Sequence, residues 1–212
     1  TDLITVARRR GELMANASDV LGAMSAVSTS LSEVEETLAT LNRTDVVVAN
    51  YNAPQQVVIS GDVAGVEAAE ALFAAKDIRV RRLPVSTAFH SPLVAESAIP
   101  FASFLSEVAF DEATTPVWSG ETATPYDSDK EAQRARLAQQ IARPVRFVNL
   151  IEQLADTGIQ TFIEVGPGSV LTGLVGHCLE GRAHRALSLD RRGRDGIETL
   201  FRGLAQLIAG GI

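Results

Sequence analysis

Six short segments between Gly22 and Val85 constrain this chain more than any other feature. Gly22–Val27 is an extended apolar run. Ser30, with Glu33 three residues on, has the pattern of a capping box, and Leu31, Val34, Leu38 and Leu41 recur behind it at helical spacing. Residues 45–51 and 55–60 are rich in β-branched side chains and are separated by Asn52-Ala53-Pro54, which predicts a hairpin. Asp62 is placed to cap a helix carrying Val63, Val66, Ala69, Leu72 and Phe73, and residues 78–85 form a last extended run. The resulting order, β-α-β-β-α-β, is that of the ferredoxin-like unit. The chain has 212 residues, 46% of them hydrophobic, enough for one or two domains, so this unit is a small subdomain of something larger.

The flanking sequence alternates helices and strands and places the chain in the α/β class. Leu3, Val6, Ala7, Arg10, Leu13 and Met14 recur at helical spacing, so the chain opens inside an amphipathic helix with no cap at its start. Helices are predicted around residues 96–107, 132–141 and 145–157, and a strand near Pro116-Val117-Trp118, followed by a polar loop over residues 121–130. Gly158 ends the third of these helices. Residues 161–165 read as a buried strand, and Gly166-Pro167-Gly168 turns the chain into a helix bearing Val170, Leu171, Leu174, Val175 and Cys178. A short strand at 186–189 and a closing helix with Ile197, Leu200, Phe201, Leu204, Leu207 and Ile208 complete the pattern.

A net charge of −7 argues against nucleic acid as a main partner. No apolar run approaches the roughly 18 residues of a membrane span. The start has no signal-peptide layout and no initiator Met. Cys178 is the single cysteine, which makes a reducing, cytoplasmic compartment the simplest expectation. No Cys/His cluster has metal-ligand spacing, since His177 and His184 stand apart from His90, so no metal is expected.

Few residues stand out chemically. In Ser86-Thr87-Ala88-Phe89-His90-Ser91-Pro92 a histidine follows the last extended run directly, and a histidine at a strand end can act as a general base. A lone histidine is also commonly a hydrogen-bonded structural residue. Its natural partner, a serine in a G-x-S-x-G elbow, occurs nowhere in the 212 residues. Ser91 and Ser119 lack flanking glycines, and Ser169 reads as a helix N-cap. Arg8-Arg9-Arg10 looks like a solvated charge run, but spacing puts Arg10 alone on the apolar stripe. An inward guanidinium needs a partner, either a protein carboxylate or an anionic substrate held bidentately. Glu164-Val165-Gly166-Pro167-Gly168 matches neither phosphate-loop pattern, and its glycines suit a tight strand-to-helix turn. Asn50 and Asn52 serve the hairpin as turn residues or offer polar contacts to a ligand.

These pieces together resemble the acyltransferase domains of polyketide and fatty-acid synthases, the malonyl-CoA:acyl-carrier-protein transacylase family. The similar motifs run in order along the whole chain: Arg10-Gly11-Glu12-Leu13-Met14; Gly22-Ala23-Met24; the hairpin from Asn50-Tyr51-Asn52-Ala53-Pro54 to Ser60-Gly61; Thr87-Ala88-Phe89-His90-Ser91-Pro92; Gln140-Ile141-Ala142-Arg143-Pro144-Val145; and Glu164-Val165-Gly166-Pro167-Gly168. The resemblance implies the C-terminal part of a hydrolase-like large subdomain, residues 1–20 and 86–212, with an inserted ferredoxin-like small subdomain, residues 21–85. It implies transfer of a malonyl unit from malonyl-CoA through a seryl acyl-enzyme to the phosphopantetheine thiol of an acyl carrier protein, with no cofactor bound by the chain itself. His90 matches the base and Gln140 the residue whose backbone carbonyl orients it. Arg10 matches the clamp on the free malonate carboxylate. The resemblance also implies that Met14, Phe89, Asn50 and Asn52 line the substrate side. Phe89 goes with malonyl rather than methylmalonyl units, because its ring fills the space of an α-methyl group. Thr87 departs from the commoner His or Tyr and is more similar to iterative synthases, including the enediyne type.

The family's G-H-S-x-G elbow and oxyanion-hole segment would both lie before Thr1, so the expectation is a missing N-terminal segment that accompanies this chain and supplies the serine. Ala209-Gly210-Gly211-Ile212 ends like a cut before a linker, which favours an integrated synthase domain over a free-standing fatty-acid transacylase. The alternative of another class is a non-catalytic domain that docks carrier protein.

Overall fold

Ser30 and Asp62 begin the two helices that organise the first part of the chain, as local side-chain chemistry requires. In the computed structural model, which describes residues 2–16 and 21–212, Ser30 has extended backbone and its hydroxyl accepts the Glu33 N–H at 3.3 Å. The helix it starts, α2, spans Leu31–Thr40. The capping box is only half built, because the Glu33 carboxylate turns instead to Lys76 Nζ at 2.6 Å and Thr37 Oγ1 at 3.4 Å. Asp62 accepts the Gly65 N–H at 2.6 Å to start α3 (Val63–Ala75) and is held from behind by Arg43 at 3.1 Å. The helix before them, α1, spans Asp2–Ala15. The expected subdomain boundary at residues 20/21 adjoins residues 17–20, which lie outside the described residues.

Strands β1 (Gly22–Val27), β2 (Val47–Ala53), β3 (Gln56–Asp62) and β4 (Val80–Arg82) form the antiparallel order β4-β1-β3-β2. All six residues of β1 are buried because both faces of the sheet are covered. Side chains alternate across a strand. Ala23 and Val27 therefore join Val57, Ile59, Val34, Val66, Ala69 and Phe73 in the core facing the helices. Met24 and Ala26 point the other way, with Ala49 and Val58, onto Leu83 and Phe89. Ser25 sits on the helix-facing side, where its hydroxyl is bonded to Glu70, itself held by Arg82 at 2.7 and 2.8 Å.

Three expectations are corrected here. The hairpin turn is shorter than its composition suggests: Ala53 pairs with Gln56, leaving only Pro54 and Gln55 between the strands. The strand expected over 78–85 is regular only at Val80–Arg82. Beyond it Leu83 still donates to the Met24 carbonyl at 2.9 Å, but Pro84 has no N–H with which to continue the ladder. Val145 does not start a helix. Val145–Arg146 forms β5, a fifth strand parallel to β2 with Asn50 opposite Val145 and Tyr51 opposite Arg146, and the helix, α6 (Phe147–Asp156), begins only after it. Pro144 biases the chain toward extended backbone at this point, and the outer edge of β2 offers partners.

A second core in this region gathers Met14 of α1, Val94 of a 3-10 turn (Pro92–Ser97), Phe101 and Leu105 of α4 (Ala98–Ser106), Ala138 of α5 (Lys130–Gln139) and Ile141. Ser97 Oγ donates to the Leu13 carbonyl at 3.1 Å, fixing the turn to α1. The expected strand at 116–118 is reduced to a single bridge between Trp118 and Pro125.

The chain divides into two compact units, Thr1–Leu150 and Ile151–Ile212. The second contains β6 (Thr161–Glu164) and β7 (Arg185–Ser188), paired in parallel, with α7 (Val170–Cys178) between them and α8 (Gly196–Ala209) after them. The strand read as buried is not: Ile163 is 43% exposed and the following Val165 77%. Among the described residues β6 has a strand partner on one side only.

Candidate active site

Gly22 sets the position of the histidine turn. Its N–H donates to the Ser86 carbonyl at 3.0 Å, and a Cβ added to it would lie 2.2 Å from the Ala88 nitrogen. Only glycine lets β1 approach the turn this closely. The histidine is not at a strand end, as the sequence suggests, but inside this turn. His90 has φ +58°, a left-handed backbone uncommon outside glycine and frequent at functional sites, and its N–H is tied to the Ile141 carbonyl at 3.2 Å. Ser91 then caps the 3-10 turn through the Leu93 N–H.

The imidazole is oriented by backbone. His90 Nδ1 lies 2.8 Å from the Arg143 carbonyl oxygen and 3.2 Å from that of Gln140. Both partners are acceptors only, so Nδ1 carries the ring proton and Nε2 keeps its lone pair, the tautomer a general base needs. Burial holds the His90 pKa below its ordinary 6.5. The hydrogen bonds to the Arg143 and Gln140 carbonyls oppose that shift, and the Arg10 charge reinforces it. Burial therefore favours the neutral ring. The Arg143 carbonyl is a participant that sequence reasoning missed, because a backbone carbonyl has no residue signature; the adjoining Pro144 is the one visible hint.

Arg10 reaches the same place from α1. Its Nη2 donates to Gln140 Oε1 at 3.0 Å. Gln140 thus serves both groups, the histidine through its backbone and the arginine through its side chain. Arg10 is half-buried, yet among the described residues no carboxylate pairs with it, whereas Arg8 and Arg9 both pair with Glu12. Burial lowers its pKa from the usual arginine value, and Tyr126 opposes the shift. Of the two partners open to an inward arginine, a protein carboxylate is not found among the described residues. Tyr126 was not anticipated from sequence; it is half-buried, with its hydroxyl bonded to the Ser119 side chain and its pKa pushed up by burial.

Met14, one turn beyond Arg10, is buried in the α1–α4–α5 core, and Phe89 packs against both that core and the outer face of β1 and β3. Asn50 and Asn52 lie half-buried on β2, with Asn50 opposite β5. His90, Gln140 and Arg10 are therefore joined by hydrogen bonds, Met14 and Phe89 share a hydrophobic cluster, and the two asparagines stand on the strand that pairs with Val145–Arg146.

The serines named from sequence are otherwise engaged. Ser91 is fully buried and donates its proton to the Ala88 carbonyl at 2.7 Å. Ser119 is fully buried, accepts the Glu121 N–H at 3.2 Å and bonds Tyr126. Ser169 occupies the N-cap position of α7 but makes no cap bond with its side chain. Glu164, at the end of β6, does so instead, accepting the Thr172 N–H and hydroxyl at 2.7 Å each. An internal carboxylate already fills the start of α7, so the Gly166–Gly168 turn has no free helix terminus to offer a phosphate. Among the described residues no group of three His, Cys, Asp or Glu side chains could hold a metal, and no helix is long and apolar enough to cross a membrane.

Comparison with known proteins identifies the family. Residues 1–211 match the family model described as the acyl transferase domain. The chain is 39% identical over 174 residues to the malonyl CoA-acyl carrier protein transacylase of Synechocystis sp., covering 81% of this chain and 56% of that one. It is 41% identical over 180 residues to the polyketide biosynthesis malonyl CoA-acyl carrier protein transacylase BaeC of Bacillus velezensis, covering 82% and 61%. Among solved structures it is similar to the acyltransferase domain from the second module of the salinomycin polyketide synthase, with TM-score 0.85, 33% identity and coverage of 95% of this chain and 47% of that one. It is also similar to the transacylase of Clostridium perfringens, with TM-score 0.87, 27% identity and coverage of 98% and 64%. The chain thus spans less than two thirds of the length of these relatives. By its motifs, its fold and a family match that runs almost from end to end, this chain belongs to the acyl transferase domain family.

Proposed function

We propose that this chain carries the general base and the carboxylate clamp of a malonyl transfer from malonyl-CoA to the phosphopantetheine thiol of an acyl carrier protein, in polyketide biosynthesis. The nucleophilic serine comes from a segment outside these 212 residues. The observation that carries the reading is the half-buried Arg10, without a carboxylate partner among the described residues, linked through Gln140 to a histidine whose Nδ1 faces two carbonyls. The relatives' names support the substrate class, and one related structure is that of a type II polyketide acyl-carrier protein in complex with its malonyl-transacylase.

In the first half-reaction His90 Nε2 takes the serine proton as the serine oxygen attacks the thioester carbonyl. The tetrahedral intermediate collapses, the C–S bond breaks, and the departing thiolate receives the proton from His90. In the second, His90 removes the proton of the phosphopantetheine thiol, the sulfur attacks the malonyl ester, and the serine oxygen leaves with that proton. The chain binds no cofactor of its own for these steps; phosphopantetheine arrives on the carrier protein. Arg10 acts throughout by holding the malonate carboxylate bidentately, and Phe89 bounds the space beside the α-carbon.

The test uses the full-length protein. His90→Ala is expected to lower serine acylation by about 10²–10⁴-fold, the usual contribution of a general base. Near-normal loading of the variant would remove His90 from the chemistry. Arg10→Ala is expected to depress malonyl loading far more than acetyl loading, since only malonyl has the second carboxylate. Equal losses for the two substrates would make Arg10 structural.

A further inference from the structure

Gln140 is noted above for its backbone carbonyl, but its side chain makes the one hydrogen bond that Arg10 has among the described residues, Nη2 to Oε1 at 3.0 Å. We infer that the Gln140 amide is a specificity-determining positioning residue: it aims the Arg10 guanidinium and so sets the preference for a substrate with a free carboxylate. The inference rests on the proposed clamp role of Arg10.

Three observations carry it. The backbone of Gln140 is fixed independently of its side chain. It is the C-cap of α5, its N–H bonds the Arg136 carbonyl at 3.0 Å, and Ile141 behind it is fully buried. Changing the side chain therefore leaves the carbonyl that faces His90 in place. The amide oxygen is also neutral. It orients the guanidinium and leaves its full charge available, whereas a carboxylate at the same point would neutralise it. Finally, with one Nη2 hydrogen committed to Gln140, the remaining donors are those a bidentate carboxylate requires. A long arginine side chain without this tether would lose entropy on binding that the wild-type side chain has already lost.

The experiment measures kcat/KM for serine acylation by malonyl-CoA and by acetyl-CoA in the full-length protein, and reads their ratio. Gln140→Met, which keeps the volume and removes the acceptor, is expected to lower the malonyl-to-acetyl ratio by about tenfold, as loss of a hydrogen bond to a charged group does. Gln140→Glu is expected to lower it further, because an internal ion pair then competes with the substrate carboxylate. It also serves as the reporter where Gln140→Met does not fold. A pure packing role would depress both substrates together, and an unchanged ratio in the folded variants overturns the inference. Arg10→Ala separates the two levels of the argument. If it abolishes the preference while the Gln140 variants keep it, the clamp stands and the Gln140 assignment falls. If Arg10→Ala itself leaves the preference intact, both fall.

Discussion

At the scale of single residues, the proposed base has its strength set by where it is buried and by its neighbour's charge. His90 is held below its ordinary pKa of 6.5 by burial, with Arg10 adding to the effect. The acid limb of kcat/KM for acylation, in which protonation of His90 removes the base, is therefore expected below pH 6.5. The sign of the coupling gives a sharper expectation. Arg10 disfavours a second positive charge nearby, so Arg10→Ala should move that limb to higher pH when both proteins are measured with acetyl-CoA, which does not need the clamp. A limb that stays in place, or moves down, excludes electrostatic coupling between the two groups. Arg10's inward position was legible from its spacing along the apolar stripe. Its hydrogen-bond partner was not, because Gln140 lies 130 residues away and only the fold brings the two together.

At the scale of elements, the segments that read well are those whose signals are local. Ser30 and Asp62 each cap the helix that follows them through an N–H three residues on, as Asp129 and Asp195, not singled out in the sequence, also do, and such caps need nothing from the rest of the fold. Elements that depend on a distant neighbour read badly. The two residues of β5 are a strand only because β2 is beside them, and α7 is capped by Glu164 from the preceding strand rather than by the serine at its start. The turn that carries His90 depends on such a neighbour too, which makes β1 a functional element. Gly22→Ala would place a Cβ 2.2 Å from the Ala88 backbone nitrogen and 2.7 Å from the Ala88 Cβ. Backbone must move to admit it, so the variant is expected to lose about 1–3 kcal/mol of stability, typical of overpacking, and to lose acylation activity in excess of its unfolding. Denaturant titration alongside malonyl loading measures both, and a variant with wild-type values for each would show that the close approach is unimportant.

At the scale of the whole molecule, the proposed base and clamp belong to a protein whose nucleophile is proposed to lie elsewhere in sequence. Ser91 and Ser119 are buried and bonded to their own surroundings, and the relatives of this chain are longer than it is. When the full-length protein is loaded with malonyl-CoA and digested, the acylated peptide is expected to come from outside these 212 residues. A malonyl group found on Ser91, Ser119 or Ser169 would overturn the proposed division of labour. The sequence by itself determined the α/β class, the βαββαβ order and most helix starts, because capping, periodicity and turn chemistry act over three or four residues. It also placed His90, Arg10 and Gln140 in motifs similar to those of the family. Only the tertiary structure decided that His90 sits in a left-handed turn, that its Nδ1 faces two carbonyls from residues 50 and 53 positions away, and that one glutamine joins it to Arg10. Backbone carbonyls are the same at every residue, and burial is the joint product of elements far apart in the chain, so neither leaves a mark that a linear reading can find.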